Sequence, residues 1–170
     1  MIVDLSQLEG SGNAFDFMIA LDTLNLETDE LRVKTDIEVS GEISKNAAKT
    51  DVSGNVAFAA EIDCTRCLTP IEKQIVFSFD VTFVPREALI VSEDKELGAD
   101  DLDVDALNGD ELDMKEIVRE QILLTLPEKI LCKEDCKGLC EKCGSDLNLI
   151  DCSCRDDEID PRWAALKNLN

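Results

Sequence analysis

Cys132-Lys-Glu-Asp-Cys136-Lys-Gly-Leu-Cys140-Glu-Lys-Cys143-Gly-Ser-Asp-Leu-Asn148, followed by Cys152-Ser-Cys154, is the stretch on which the reading of this chain turns. Six of the eight cysteines fall within it, the other two form Cys64-Thr-Arg-Cys67, and the chain has no histidine. Paired thiols without an imidazole leave two alternatives, all-thiolate metal sites or a set of disulfides. A Cys-x2-Cys turn lets two sulfurs converge on one tetrahedral ion while backbone N–H groups point at them. Two pairs complete one structural zinc site, so Cys64, Cys67, Cys132, Cys136, Cys140, Cys143, Cys152 and Cys154 are candidate ligands for two Zn2+ ions. One pairing makes Cys140, Cys143, Cys152 and Cys154 a local site and brings Cys64 and Cys67 to Cys132 and Cys136. Another brings Cys64 and Cys67 to Cys140 and Cys143, and spacing alone leaves both open.

The compartment decides between metal and disulfide. The opening Met1-Ile-Val-Asp4-Leu-Ser lacks the basic and apolar regions of a signal peptide, and no apolar run approaches the roughly 20 residues that span a bilayer. The expected setting is the cytoplasm, where thiols stay reduced and clustered cysteines bind metal. Cys136-x3-Cys140-x2-Cys143 also matches the spacing of an iron–sulfur triple in radical enzymes. Those need a barrel of about 200 residues after the motif, whereas here 27 residues follow Cys143.

The rest of the chain builds outward from the cysteines. Phe15, Phe17, Ile19 and Leu21 alternate with other residues, as do Leu31, Val33, Ile37 and Val39, which is the period of half-buried strands. Val56, Phe58, Ala60 and Ile62 share a parity that Cys64 continues, and Ile71, Ile75, Phe77, Phe79, Val81 and Phe83 form a second run. The two runs predict an antiparallel hairpin with Cys64 and Cys67 at its tip. Residues 91–116 hold eleven acidic and two basic side chains, which predicts a long acidic loop. Asp110 is the expected N-cap of a helix whose apolar stripe is Met114, Val118, Ile122 and Leu126, flanked by Ile117 and Leu124 and stopped by Pro127. The expected fold is α+β, an antiparallel β-sheet with one packed helix and a C-terminal cysteine-rich zinc-knuckle module. Its divisions are a sheet region with the CxxC hairpin (1–90), an acidic loop (91–109), helix and connector (110–131), and the zinc module with a tail helix (132–170).

Charge and composition exclude several functions. A net charge of −21, with Asp+Glu 38 against Lys+Arg 17, repels phosphate backbones. Six Phe, one Trp and no Tyr give no base-stacking platform. Any direct RNA contact is therefore expected to be local and confined to the cysteine-rich end, whose 39 residues from Cys132 hold nine acidic and six basic side chains. Without histidine there is no Ser-His or Cys-His pair, and no phosphate-cradling glycine motif is present. Four thiolates close a zinc ion to catalytic water. The chain is not expected to be an enzyme. Trp163, in Asp160-Pro-Arg-Trp-Ala-Ala-Leu166, is a candidate anchor for a protein partner.

The opening Asp4-Leu-Ser-Gln-Leu-Glu-Gly10, the hairpin Cys64-Thr-Arg-Cys67-Leu, the Cys136–Asn148 block, Cys152-Ser-Cys154 and the closing Asp160-Pro-Arg-Trp-Ala-Ala-Leu166 together resemble the YceD family. That family of large-subunit ribosomal RNA accumulation proteins occurs in bacteria, with relatives in chloroplasts. The resemblance implies a non-enzymatic cytoplasmic factor needed for 23S ribosomal RNA to be made or to persist. It also implies a gene that in many bacteria lies beside that of a small basic large-subunit protein. A basic ribosomal protein or a ribosomal RNA processing factor is the implied partner, with no membrane involvement. Arg66, the family's general Cys-x-Arg-Cys arginine, is implied as a partner-binding residue. Two alternatives stand beside this one, a zinc-ribbon adaptor in another complex and an iron–sulfur redox protein. Oligomeric state is not legible.

Overall fold

The computed structural model describes residues 1–8, 12–26, 31–89 and 104–154. It divides into two compact units, one of Met1–Ile62 with Ile71–Glu128, the other of Asp63–Pro70 with Lys129–Asn170.

The first unit is built on one long strand. β5 (Thr50–Asp63) carries Val52, Val56, Phe58, Ala60 and Ile62 inward with exposures of 5 % or less, so its alternation sets the core face. β4 (Ile37–Lys45) pairs antiparallel with the first half of β5, and β2 (Asn13–Ile19) pairs antiparallel with β4. β3 (Leu31–Val33) pairs with the second half of β5. The run expected as one strand from Leu31 to Val39 is therefore two. Val33 faces Ala60 and Glu38 faces Ala57, so four residues, 34–37, oppose two on β5. Within that bulge Lys34 N–H donates to the Ala59 carbonyl at 2.8 Å, and Ala59 N–H donates to Thr35 Oγ1 at 3.0 Å. An even insertion preserves parity, which is why Leu31, Ile37 and Val39 stay on the buried face across it.

Tight turns and close packing fix the rest of this sheet. At the β4–β5 turn Asn46 Oδ1 accepts the N–H groups of Ala48 and Lys49, both at 2.9 Å. Gly41 and Gly54 face each other across β4 and β5. A Cβ on Gly54 would stand 2.9 Å from the Phe79 ring, so the absence of a side chain lets that ring lie over the strand.

β6 (Pro70–Pro85) flanks β5 on its other side, with Phe79, Val81 and Phe83 buried. The expected antiparallel pairing holds for β2–β4, β3–β5 and β4–β5 and gives way at one edge. β7 (Val104–Leu107) runs parallel to the end of β6, with Thr82 opposite Val104, so the six-stranded sheet is mixed. β7 also lies in what acidity marked as loop. Only four residues are involved, and the end of β6 gives them a partner that composition cannot reveal. The remaining acidic stretch, 90–103, lies outside the described residues.

β1 (Ile2–Asp4) pairs antiparallel with β8 (Glu111–Asp113) in a two-stranded sheet, and α1 (Met114–Thr125) follows at once. This pairing displaces the expected N-cap. Asp113, whose carboxylate accepts Lys115 N–H at 3.0 Å, caps α1 in place of Asp110. Asp110 instead offers its carbonyl to Leu5 N–H at 2.7 Å. Met114, Ile117, Val118 and Ile122 are buried as the helical period requires. Leu124 departs from it, at 77 % exposure in the last turn. Among the described residues one α-helix with this mixed sheet makes the fold α+β. Among the described residues no helix is long and apolar enough to cross a membrane.

Candidate metal centres

The cysteine-rich unit contains two copies of one backbone turn. In Cys64-Thr-Arg-Cys67-Leu-Thr69, Leu68 N–H donates to the Cys64 carbonyl and Cys64 N–H to the Thr69 carbonyl, both at 2.9 Å. In Cys140-Glu-Lys-Cys143-Gly-Ser145, Gly144 N–H donates to the Cys140 carbonyl and Cys140 N–H to the Ser145 carbonyl, both at 2.8 Å. The residue after the second cysteine has positive φ in each copy, 58° at Leu68 and 70° at Gly144. A hydroxyl stands by that second sulfur in both, Thr69 Oγ1 at 3.2 Å from Cys67 Sγ and Ser145 Oγ at 3.3 Å from Cys143 Sγ. Each turn therefore brings its two cysteines together, with a hydroxyl beside the second sulfur.

Each turn meets a second pair. Cys64, Cys67, Cys132 and Cys136 form one cluster and Cys140, Cys143, Cys152 and Cys154 the other, the four sulfurs of each lying within 4.8 Å of one another. Cys64 and Cys136 are 3.8 Å apart and Cys67 and Cys132 3.6 Å, while Cys143 and Cys152 are 3.8 Å apart and Cys140 and Cys152 3.3 Å. Four thiolates at about 2.3 Å from one tetrahedral ion would stand about 3.8 Å apart. All eight cysteines are free of disulfides. Both clusters could thus hold a metal ion, in the first of the two pairings that spacing allowed. The iron–sulfur triple is split between clusters, Cys136 in one and Cys140 with Cys143 in the other.

The first cluster is held together by contacts that sequence reasoning assigned otherwise or missed. Arg66 Nη1 donates to the Cys136 carbonyl at 2.7 Å, and the Arg66 carbonyl accepts Leu139 N–H at 3.2 Å. Arg66 therefore positions the Cys136 half of the site. Gly138, at φ 76°, is where this backbone passes, and a Cβ there would sit 3.1 Å from the Arg66 carbonyl oxygen. Asn148 is the residue missed. Its amide nitrogen lies 3.4 Å from Cys136 Sγ and donates to Asp146 Oδ1 at 2.7 Å, while its Oδ1 accepts Lys137 N–H at 2.9 Å. The signal was the polar Ser145-Asp-Leu-Asn148 directly after a cysteine turn, since sulfur ligands need oriented donors around them. Trp163 and the expected tail helix fall outside the described residues.

Electrostatics separate the thiols within each cluster. Burial pushes the Cys64 thiol up, but N–H groups of Cys67, Arg66 and Cys132 outweigh it and hold the group at about 6. The Ser145 hydroxyl and N–H draw Cys143 down to about 6. Burial and the neighbouring sulfurs push Cys132 up to about 12. Cys152 ends at about 12 because Cys140, Cys154 and burial outweigh the Cys154 N–H, which favours its thiolate. Four thiolates cannot coexist so closely without a counter-charge, and a divalent cation supplies one.

Residues 52–170 match the family profile described as large ribosomal RNA subunit accumulation protein YceD. An uncharacterized Mycobacterium tuberculosis protein is 30% identical over 117 residues, 68% of this chain and 53% of that protein. The chain thus spans about half the length of the mycobacterial relatives it matches. The uncharacterized Bacillus subtilis protein YlbN is 25% identical over 169 residues, 99% of this chain and 94% of YlbN. The chloroplastic large ribosomal RNA subunit accumulation protein YCED homolog 1 of Zea mays is 26% identical over 176 residues, 89% of this chain and 59% of that protein. No solved structure matches.

Proposed function

The chain belongs to the YceD family, and on that premise we propose that it is a non-enzymatic cytoplasmic factor supporting accumulation of large-subunit ribosomal RNA, acting mainly through protein contacts. The observation that carries this reading is that all eight cysteines, and so both clusters, fall inside the matched residues 52–170. The clusters each hold one zinc ion as a structural staple. Four sulfurs within 4.8 Å suit a single shared ion, whereas a multi-iron cluster spreads its thiolates over several irons. A fourfold thiolate shell leaves no position for substrate or catalytic water, which favours a scaffold over an enzyme.

The net charge of −21 favours a basic ribosomal protein or a processing factor as the direct partner. Eight thiolates against two divalent ions add a further net −4, so zinc loading does not soften that preference. The test is the ratio of 23S to 16S ribosomal RNA after depletion in the native host. A selective fall in 23S is expected, restored by the wild type and not by the Cys64→Ser/Cys67→Ser double variant. An unchanged ratio would remove the reading and leave the adaptor alternative. Metal analysis of the purified chain should return two zinc per chain.

A further inference from the structure

The two cysteine turns match in every hydrogen bond described above, yet differ at the residue that follows the second cysteine. Where the second carries Gly144, the first carries Leu68, with φ 58°. The left-handed region is rarely occupied by a bulky side chain and is glycine's ordinary place. The turn itself imposes the angle, through the bonds from Leu68 N–H to the Cys64 carbonyl and from Cys64 N–H to the Thr69 carbonyl. Burial does not repay that strain, since Leu68 is 62 % exposed. Leu124 and Val76 are also exposed, at 77 % and 71 %, but neither has a positive φ. Leu68 alone among the described non-glycine residues combines both features. A strained residue left mostly in solvent points to a role beyond packing.

We propose that Leu68 is the apolar anchor by which the first cysteine turn docks into an apolar socket on a cationic protein. This rests on the function proposed above. The partner's class follows from chemistry on both sides. An aliphatic side chain gains by leaving water for an apolar socket and has nothing to offer a phosphate or a base edge. The chain's net charge of −21 steers a cationic protein toward it and disfavours RNA. Arg66 commits its Nη1 to the Cys136 carbonyl, so it stiffens the loop that presents Leu68.

Three variants of the full chain test this, Leu68→Gly and Leu68→Asn, both at ease at positive φ, and Leu68→Met as apolar control. All should bind metal in wild-type amount, and Leu68→Gly should resist a chelator at least as well as the wild type. In the depleted host, Leu68→Met should restore the 23S to 16S ratio, and the Gly and Asn variants should recover less than a fifth of it. Benzoylphenylalanine placed at position 68 should cross-link, in cells, to a protein in which Lys+Arg exceed Asp+Glu. Full rescue by the Gly and Asn variants would overturn the proposal, as would loss of metal from them. An adduct with RNA or with a second copy of this chain, or no protein adduct, would overturn it too. If depletion leaves 23S unchanged the family role fails by itself, and the cross-link still decides the anchor.

Discussion

The sheet unit and the cysteine unit are held by different forces. In the first, apolar side chains from β2, β3, β4, β5, β6 and α1 are buried, and strand alternation alone accounts for most of them. In the second, five described residues are buried, Cys64, Cys67, Ile130, Cys136 and Gly138, and three of these are cysteines. The sheet unit has a core that water builds. The cysteine unit has two clusters of potential ligands in place of a core, so on the zinc sites proposed above its folding free energy comes from metal. The difference teaches that one chain can carry two stabilities which respond to separate perturbations.

The sharpest way to break the comparison is to remove metal. Structural zinc contributes on the order of 10–16 kcal/mol in small modules. A strong chelator, or Cys140→Ser for the second cluster alone, should abolish hydrogen-exchange protection across 139–154 while protection in β4 and β5 persists. Unchanged protection in the cysteine unit would mean its turns stand without an ion.

Acid should separate the units next. Cys64 and Cys143 lie at about 6 in place of 9.0, so the stability they contribute is complete above the ordinary thiol value and lost as pH falls through about 6. In the sheet unit three carboxylates are held lower than usual, Asp4 by the Ser6 hydroxyl, Asp51 by Lys49 and Glu61 by Arg32, while burial raises Glu120. The contribution of those three is lost only below the ordinary carboxylate range. A pH titration followed by metal release and by circular dichroism should show metal leaving first as acid protonates the thiolates, with the β-signal retained. A single joint transition would contradict this.

Within the sheet unit the effects are smaller and leave metal untouched. Ile37→Ala, at a fully buried position of β4, should cost about 2–5 kcal/mol in denaturant unfolding with metal content unchanged. Asp113→Ala should cost about 1 kcal/mol by uncapping α1. Asp110→Ala should cost less, because Asp110 contributes its carbonyl to Leu5 and its carboxylate only to a 3.5 Å pair with Lys45, exposed on the acidic side. Reversal of these two would restore Asp110 as the cap.

Much of the fold was legible in the sequence. The inward residues of β5 and β6 follow from parity, and even the interrupted run from Leu31 to Val39 kept its face because the bulge inserts an even number. The cysteine turns were legible too, since Cys-x2-Cys fixes a local geometry. What was not legible is long-range. Nothing near Glu111 announces that Met1–Asp4 will pair with it, so the helix start was placed three residues early. Val104–Leu107 resembles its acidic surroundings in composition, and only the end of β6 makes it a strand. Arg66 stood out only through the resemblance, as a partner-binding residue, and its bond to the Cys136 carbonyl joins segments that sequence does not connect.

The sequence by itself determined that this chain has a strand-built core, eight metal-competent thiols, an acidic surface and a family. These follow from local periodicity, ligand spacing and charge, which a chain carries before it folds. Only the tertiary structure decided which thiols share a site, which aspartate caps the helix, that the sheet is mixed, and that Leu68 occupies glycine's place in a repeated turn. Each of those depends on which distant segments meet, and that is set by burial and backbone pairing across the whole chain.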